Sequence, residues 1–512
     1  MESRFVAASD GGRANARERD STFLQLADGK PCTEQRHAES ERLLRLQPYL
    51  ADATVTAVDE SDGRVRIDIE TIDDLRPIIG LGLHGARPTN GEIGNSNIAG
   101  TGHLAAVTWR DGRAFRDGFG FRYEDYHLLG RPAVANVALS RQPLGSFVLA
   151  SLARPFYTDL QHSAAYVGYL RDDGYVRFLR PQQDALSLST VRERADMGAA
   201  FRLGIYGSTK VLLGALASFE RRTTATRPVI ISDSGFVATT DTTLRNRYRT
   251  TDATRLGIVT GVRALTFVKV QGFDALEGFQ DIGRGMQLAT TVGSTVSGTQ
   301  KGPFVTGDFY AGVGGVQSFV GLRTQIESRR NDGRWSNLVW SGRLAWYSRP
   351  NDRQTRLWSL EYVGAWRQDV PYQLSIDDPQ GGIRGYNGSR LAGGQLLVLR
   401  AERRRVMPGM STYLVWGIAA FGDAAQMFKG DVPFGATVTR ASVGLGILAA
   451  VLRESRSIAR VDFAYPVVPD KNAKHLAIRF TYSLIGRSFW RETGQLARAR
   501  VGTPASDIFA WP

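Results

Sequence analysis

At 512 residues the chain is too long for one ordinary globular core, and has room for about three or four domains or one large barrel with an appendage. A hydrophobic content of 42% with 10% aromatics excludes a disordered chain, while the longest apolar run, Val443 to Leu452, is too short for a transmembrane helix. The net charge of +14 comes from 57 arginines and seven lysines spread along the whole length, which argues against a nucleic-acid-binding face, and the single Cys32 excludes an intrachain disulfide or a cysteine-based zinc site.

The first 32 residues are polar and have no apolar segment of the kind that starts a signal peptide. From Thr33 to Leu50 the pattern is helical: Thr33 and Glu34 open it, Leu43, Leu44 and Leu46 supply an apolar stripe, and Pro48 marks the end. Two alternating segments follow, Ala53–Val58 and Arg64–Glu70, with a turn signal at Ser61-Asp62-Gly63 between them. A helix and a hairpin make a small α+β module.

From Pro77 onward the chain reads as strand after strand between turns rich in Gly, Asp, Asn and Arg. Segments such as Gly257–Val270, Leu338–Tyr347, Gly394–Val406 and Ala441–Ala450 are long for a soluble strand and suit tilted strands that cross a bilayer. The strand-like segments number about sixteen to twenty, and sixteen at about 25 residues each, loop included, make a reasonable membrane barrel. Tyr123, Tyr126, Tyr166, Trp346, Tyr347, Trp366, Tyr413 and Trp416 near segment ends are expected to form interfacial girdles.

Motifs for catalysis are missing. Gly293–Gly298 lacks the lysine of a phosphate-binding loop, no G-x-S-x-G elbow occurs, and the six histidines show no metal-binding spacing. The acidic pairs Asp73-Asp74, Glu124-Asp125 and Asp377-Asp378 read as solvated turns.

The most distinctive stretch is Gly381-Gly382-Ile383-Arg384-Gly385-Tyr386, followed by Leu391-Ala392-Gly393-Gly394, in a turn-rich connection between two strong strands. Glu402 and the run Phe421-Gly422-Asp423-Ala424-Ala425 come after it. Together they resemble the bacterial surface-antigen superfamily of outer-membrane barrels, which contains the BamA-type assembly factors, the TamA-type proteins and the two-partner secretion pores. In that family the sixth loop carries a tip of an apolar residue, arginine, glycine and an aromatic, matched here by Ile383–Tyr386. The tip folds into the lumen and meets acidic residues, one of them in an F-x-D-x-G strand, matched by Phe421 and Asp423 with Ala425 in place of the second glycine. Glu92–Gly102, through Asn97, Gly100 and Gly102, resembles the family's lead into the barrel, and Glu39–Ala53 resembles its last polypeptide-transport-associated (POTRA) domain.

The resemblance implies a mainly β fold: a 16-stranded antiparallel transmembrane barrel over residues 77–485, a partial POTRA-like periplasmic domain over 1–76 that lacks its leading strand, and a C-terminal extension over 486–512. It implies a Gram-negative outer-membrane location, with a signal peptide missing from this start. Ile383, Arg384, Gly385, Tyr386, Glu402 and Asp423 would anchor the lumenal loop, Arg384 pairing with the two carboxylates. A lateral seam would run between Ile98–Trp109, with Ala105 and Val107, and Leu476–Leu484, with Ile478, Phe480 and Tyr482; clients would be handed over at Val65–Ile69. The implied activity is non-enzymatic insertion or translocation of polypeptides, without nucleotide, cofactor or metal. Its partners would be outer-membrane lipid, unfolded or extended client chains and periplasmic chaperones, and no nucleic acid. A dedicated secretion channel or passive pore with a mobile loop plug is the alternative. A soluble all-β protein that binds acidic polymers is a third reading.

Overall fold

The computed structural model describes residues 2–5, 19–26, 31–60, 64–74, 77–84, 87–206, 209–331, 333–377, 381–408, 413–473, 475–484, 492–500 and 508. The turn read at 61–63 lies outside them.

A three-stranded sheet comes first. It contains β1 (Glu2–Phe5), β2 (Leu50–Asp59) and β3 (Arg64–Asp73), with helix α1 (Glu34–Arg45) packed on it. The helix starts where expected: the Thr33 hydroxyl accepts the Arg36 N–H, Glu34 sits in the first turn, and Arg42 and Arg45 in the last suit the helix dipole. Its apolar stripe, Leu43 and Leu44, packs on Val55, Val65, Ile67 and Ile69 of the sheet. Two expectations are corrected. The leading strand is present, because β1 pairs in parallel with β3. Val65–Ile67 cannot receive a client strand by edge pairing, because this part of β3 is paired with β1 on one side and with β2 on the other, the β1 register ending at Ile67.

The remaining strands are β4 (Pro77–His84), β5 (Arg87–Asn95), β6 (His103–Arg110), β7 (Gly118–Asp125), β8 (Val134–Gln142), β9 (Gly145–Arg154), β10 (Ser163–Arg180), β11 (Gln183–Tyr206) and β12 (Thr209–Thr224). Next come β13 (Val229–Ser232), β14 (Gly235–Ala238), β15 (Thr251–Gln271), β16 (Phe279–Gly298), β17 (Gly302–Gly314), β18 (Ser318–Asn331), β19 (Arg334–Asn351) and β20 (Gln354–Trp366). The set ends with β21 (Leu374–Ser375), β22 (Ala392–Gly393), β23 (Gln395–Val406), β24 (Leu414–Phe428), β25 (Val438–Val451), β26 (Ser457–Pro466) and β27 (Ala477–Leu484).

Each long strand pairs antiparallel with the next, and the sheet order closes as a barrel with β27 beside β4. The β13–β14 hairpin stands on the rim, since β12 pairs directly with β15. Without it, β4–β12, β15–β20 and β23–β27 put twenty strands in the ring among the described residues, which corrects the expected sixteen. The unread strands are β4, β5, β8, β11 and β18. β4 and β5 carry Pro77, Gly80, Gly82, Pro88, Gly91 and Gly94, which read as turn residues, while β11 and β18 place Arg192, Arg194, Asp196, Arg323, Glu327 and Arg329 where an apolar strand face was sought.

Those charges point inward. In β15, Arg255 and Arg263 are buried while Leu256 and Ile258 are more than half exposed. In β25 and β27, Val443, Leu445 and Ile447, and Ile478, Phe480 and Tyr482, alternate as exposed apolar residues. A polar interior inside an apolar exterior is the reverse of a soluble protein and is the pattern of a wall facing lipid. Trp335, Trp340, Trp346 and Trp358 stand on the outside, but Tyr126 and Tyr347 are buried and belong to no girdle.

The small domain docks at one end of the barrel, on the ends of β15 and β16 and on the turn before β26. Arg45 donates to both carboxylate oxygens of Asp281, at 3.0 and 2.7 Å, and the Arg42 guanidinium lies 4.1 Å from the centre of the Phe267 ring. Arg456 donates to the carbonyls of Gln47 and Leu50, both at 2.8 Å. Asn97 explains its motif: its side-chain oxygen accepts the Gly102 N–H at 2.7 Å and its amide reaches Asp73 at 3.3 Å, tying the turn before β6 to the small domain.

Candidate functional site

The connection from β20 to β23, residues 367–394, folds into the lumen and carries the short β21–β22 pair. Its tip lies against β23, β24, β25 and β26. Alternation in β24 turns Phe421, Asp423, Ala425 and Met427 inward, and the register sets Glu402 of β23 opposite Phe421 and Arg400 opposite Asp423. The wall thus offers one ring between two carboxylates.

Arg384 fills that place. Its Nε and one terminal nitrogen donate to the two oxygens of Asp423 at 2.7 and 2.6 Å, and the other terminal nitrogen donates to Glu402 at 2.9 Å. Its guanidinium carbon lies 3.4 Å from the centre of the Phe421 ring. Burial by itself lowers the Arg384 pKa, but hydrogen bonding and charge from Asp423, then Glu402, outweigh it and raise the pKa above its ordinary value. Gly385 takes φ +90° beside Ser442 and Ala464, a backbone that favours glycine. Tyr386 is buried and its single hydroxyl proton points between the carbonyls of Ala441 and Val468, whose oxygens lie at 2.9 and 2.6 Å. Ile383 packs with Ile376, Leu396 and Val398.

The network extends past the expected residues. Arg460 donates to both oxygens of Glu402 at 2.8 Å and to Asp462 at 2.7 Å, and Arg404 donates to Glu402 at 2.5 Å. Arg400 donates to the Gly382 carbonyl at 2.7 Å and pairs with Glu361 at 2.5 Å, so the loop backbone is held as well as its tip. Gly444 and Gly446 make the space: a Cβ at the first would lie 2.4 Å from the Phe421 ring, and at the second 2.5 Å from Asp462. Arg460 and Asp462 carried one sequence signal, acid and base two residues apart on one face of a strand. The Glu402 partner of Arg460 lies three strands along the ring, on β23, and only the strand order brings the two together.

The C-terminal segment also enters the lumen. Helix α2 (Gly494–Ala499) packs Leu496 and Ala499 among Tyr372, Leu374, Ile383 and Tyr386 of the loop. The Ser375 N–H donates to the Gln495 side chain at 3.0 Å. Arg192 donates to the carbonyls of Ala497 and Arg500 at 3.2 and 2.8 Å, and Arg500 donates to Ser341 at 2.8 Å. Farther along, the Ile508 carbonyl accepts the Phe156 N–H at 3.0 Å near the small-domain end. In the sequence this segment reads only as a C-terminal extension that could plug, cap or pass beyond the barrel, because Leu496, Ala499 and Ile508 are too few to form a pattern.

The lateral seam is corrected. Ala105 and Val107 of β6 pair with Asn95 and Ile93 of β5 on one side and with Tyr123 and Phe121 of β7 on the other. Ile478, Phe480 and Tyr482 lie on β27, whose neighbours are β26 and β4. The two groups are separated by the β4–β5 hairpin, which a glycine- and proline-rich stretch had hidden.

No family model matches the chain, and no curated protein matches it. Among solved structures it is similar to BamA from Haemophilus ducreyi lacking POTRA domains 1-3, at 12% identity and a TM-score of 0.38 over 94% of this chain and 84% of that one. CdiB from Escherichia coli gives 12% identity and 0.47 over 94% and 76%, and CdiB from Acinetobacter baumannii gives 10% and 0.43 over 94% and 73%. None of these scores reaches 0.5, and the barrel is read from its own strand pairing.

Proposed function

We propose that the chain is an outer-membrane barrel of a Gram-negative bacterium that inserts or translocates polypeptides, with its lumen closed at rest by the 367–394 loop and the C-terminal segment. The observation that carries this reading is the inward-folded tip, with Arg384 held between Asp423, Glu402 and the Phe421 ring inside a wall whose outer face is apolar. The step needs no covalent chemistry. A client chain offers unpaired backbone groups, and a strand pair that parts supplies the matching edge. The candidate seam is β27 against β4. Both are eight residues long, whereas β11 has 24, so fewer backbone hydrogen bonds must break there.

A dedicated channel is the second reading, favoured by the lumenal position of both the loop and α2. Planar-bilayer conductance of wild type and Arg384→Ala, combined with client insertion in liposomes, separates the two. Raised conductance together with client-dependent insertion supports the insertase, and raised conductance without insertion supports the channel. A protein soluble without detergent, with no heat-shifted folded band on gels, overturns both and returns the soluble binding protein.

A further inference from the structure

The register of β6 on β7 sets His103 directly opposite Asp125. Two residues later the chain turns and brings His127 back to the same carboxylate. Asp125 Oδ1 lies 3.6 Å from His103 Nε2 and 3.3 Å from His127 Nδ1. One donor atom from each of the three lies within 4.8 Å of the others. A tetrahedral ion with bonds of about 2.0–2.1 Å to imidazole nitrogen and carboxylate oxygen needs ligand-to-ligand edges of about 3.4 Å. Two edges of this triangle are already near that length, and a small ring rotation closes the third.

The site is built rather than incidental. The His127 backbone N–H donates to Asp125 Oδ1 at 3.0 Å, which holds the carboxylate in the turn. The His103 and His127 rings lie 5.3 Å apart between centroids at 32°, with Tyr123 edge-on to His103 at 5.8 Å. Asp125 is buried while His103 and His127 are half-buried, so solvent reaches the side from which an ion and a fourth ligand would come.

We propose that His103, Asp125 and His127 bind one divalent transition-metal ion of the zinc class. Two imidazoles and one carboxylate suit such an ion and do not suit calcium or magnesium, which take oxygen ligands. The ion would staple β6, β7 and the turn after them. That turn carries Tyr126, whose ring lies 5.9 Å from Tyr49 of the small domain, so the staple would also brace the docked domain.

The test is metal binding by the full chain in detergent. Zinc retained after gel filtration is measured by mass spectrometry, and cobalt(II) is titrated while its visible absorption is recorded. One zinc per chain and intense tetrahedral cobalt bands are expected, with affinity lowered at least about tenfold in His103→Ala and in Asp125→Asn. Equal zinc retention by wild type and by the His103→Ala, His127→Ala double variant overturns the proposal. Should the variants fail to give a heat-shifted folded band, the wild-type spectrum decides: absence of tetrahedral cobalt bands overturns the site, and their presence upholds it.

Discussion

The guanidinium of Arg384 stacks 3.4 Å over the Phe421 ring while its nitrogens reach carboxylates on two adjacent strands. Ring and charge act together, since the ring shields the pair from water and the carboxylates fix the plane of the fork. Phe421→Leu is therefore expected to loosen the tip by about 2 kcal/mol. Trypsin cleavage within 381–394 in intact vesicles measures it; cleavage as slow as in wild type would show that the ring contributes nothing.

Gly444 gives a sharper steric test. A Cβ there would meet the Phe421 ring at 2.4 Å and the Phe463 carbonyl at 2.3 Å, whereas at Gly422 the nearest atom is 3.9 Å away. Gly444→Ala should destabilise the folded band by about 1–3 kcal/mol, while Gly422→Ala should be tolerated. The readout is the temperature at which the compact gel band is lost.

Arg45 and Asp281 form a buried ion pair between the small domain and the barrel, both side chains under one-tenth exposed. Removing either partner strands a charge, so each single alanine variant should cost more than the pair is worth. A double-mutant cycle read by proteolytic release of the small domain should show coupling of about 1–3 kcal/mol. Additive single effects would mean that the domain docks without this pair.

Arg500 reaches Ser341 at 2.8 Å and Glu327 at 3.8 Å, pinning the C-terminal segment to the lumen wall. Arg500→Ala should raise bilayer conductance and expose residues 492–500 to protease. Unchanged conductance would place the segment outside the conducting path.

Glu39 supplies the pH dependence. Burial raises its pKa, but the charge and hydrogen bonds of Arg42 outweigh this and hold it below the usual carboxylate range. A lowered folded pKa means the stabilisation is present above the unfolded value of about 4.3 and disappears as pH falls through the folded one. The small domain should lose protease resistance as pH falls below about 4.3. Glu39→Gln should flatten that acid step, and an unchanged step would assign it to another carboxylate.

Residue types and their spacing determined much by themselves. The period-2 pattern separated lumen-facing from outward-facing positions in strands such as β27, and the helix over Glu34–Arg45 was legible from its cap and stripe. Ile383–Tyr386 and Asp423 stood out through their resemblance to the loop tip and strand motif of the surface-antigen barrels, not through spacing or composition. Alternation says which face a side chain takes, but not which strand lies beside it. The pairing of Glu402 with Phe421, the meeting of Arg460 with Glu402 and of His103 with Asp125, and the insertion of β4–β5 between β27 and β6 were decided by register and ring closure. Those depend on backbone hydrogen bonds between segments up to hundreds of residues apart, whose energy is nearly independent of the side chains they carry.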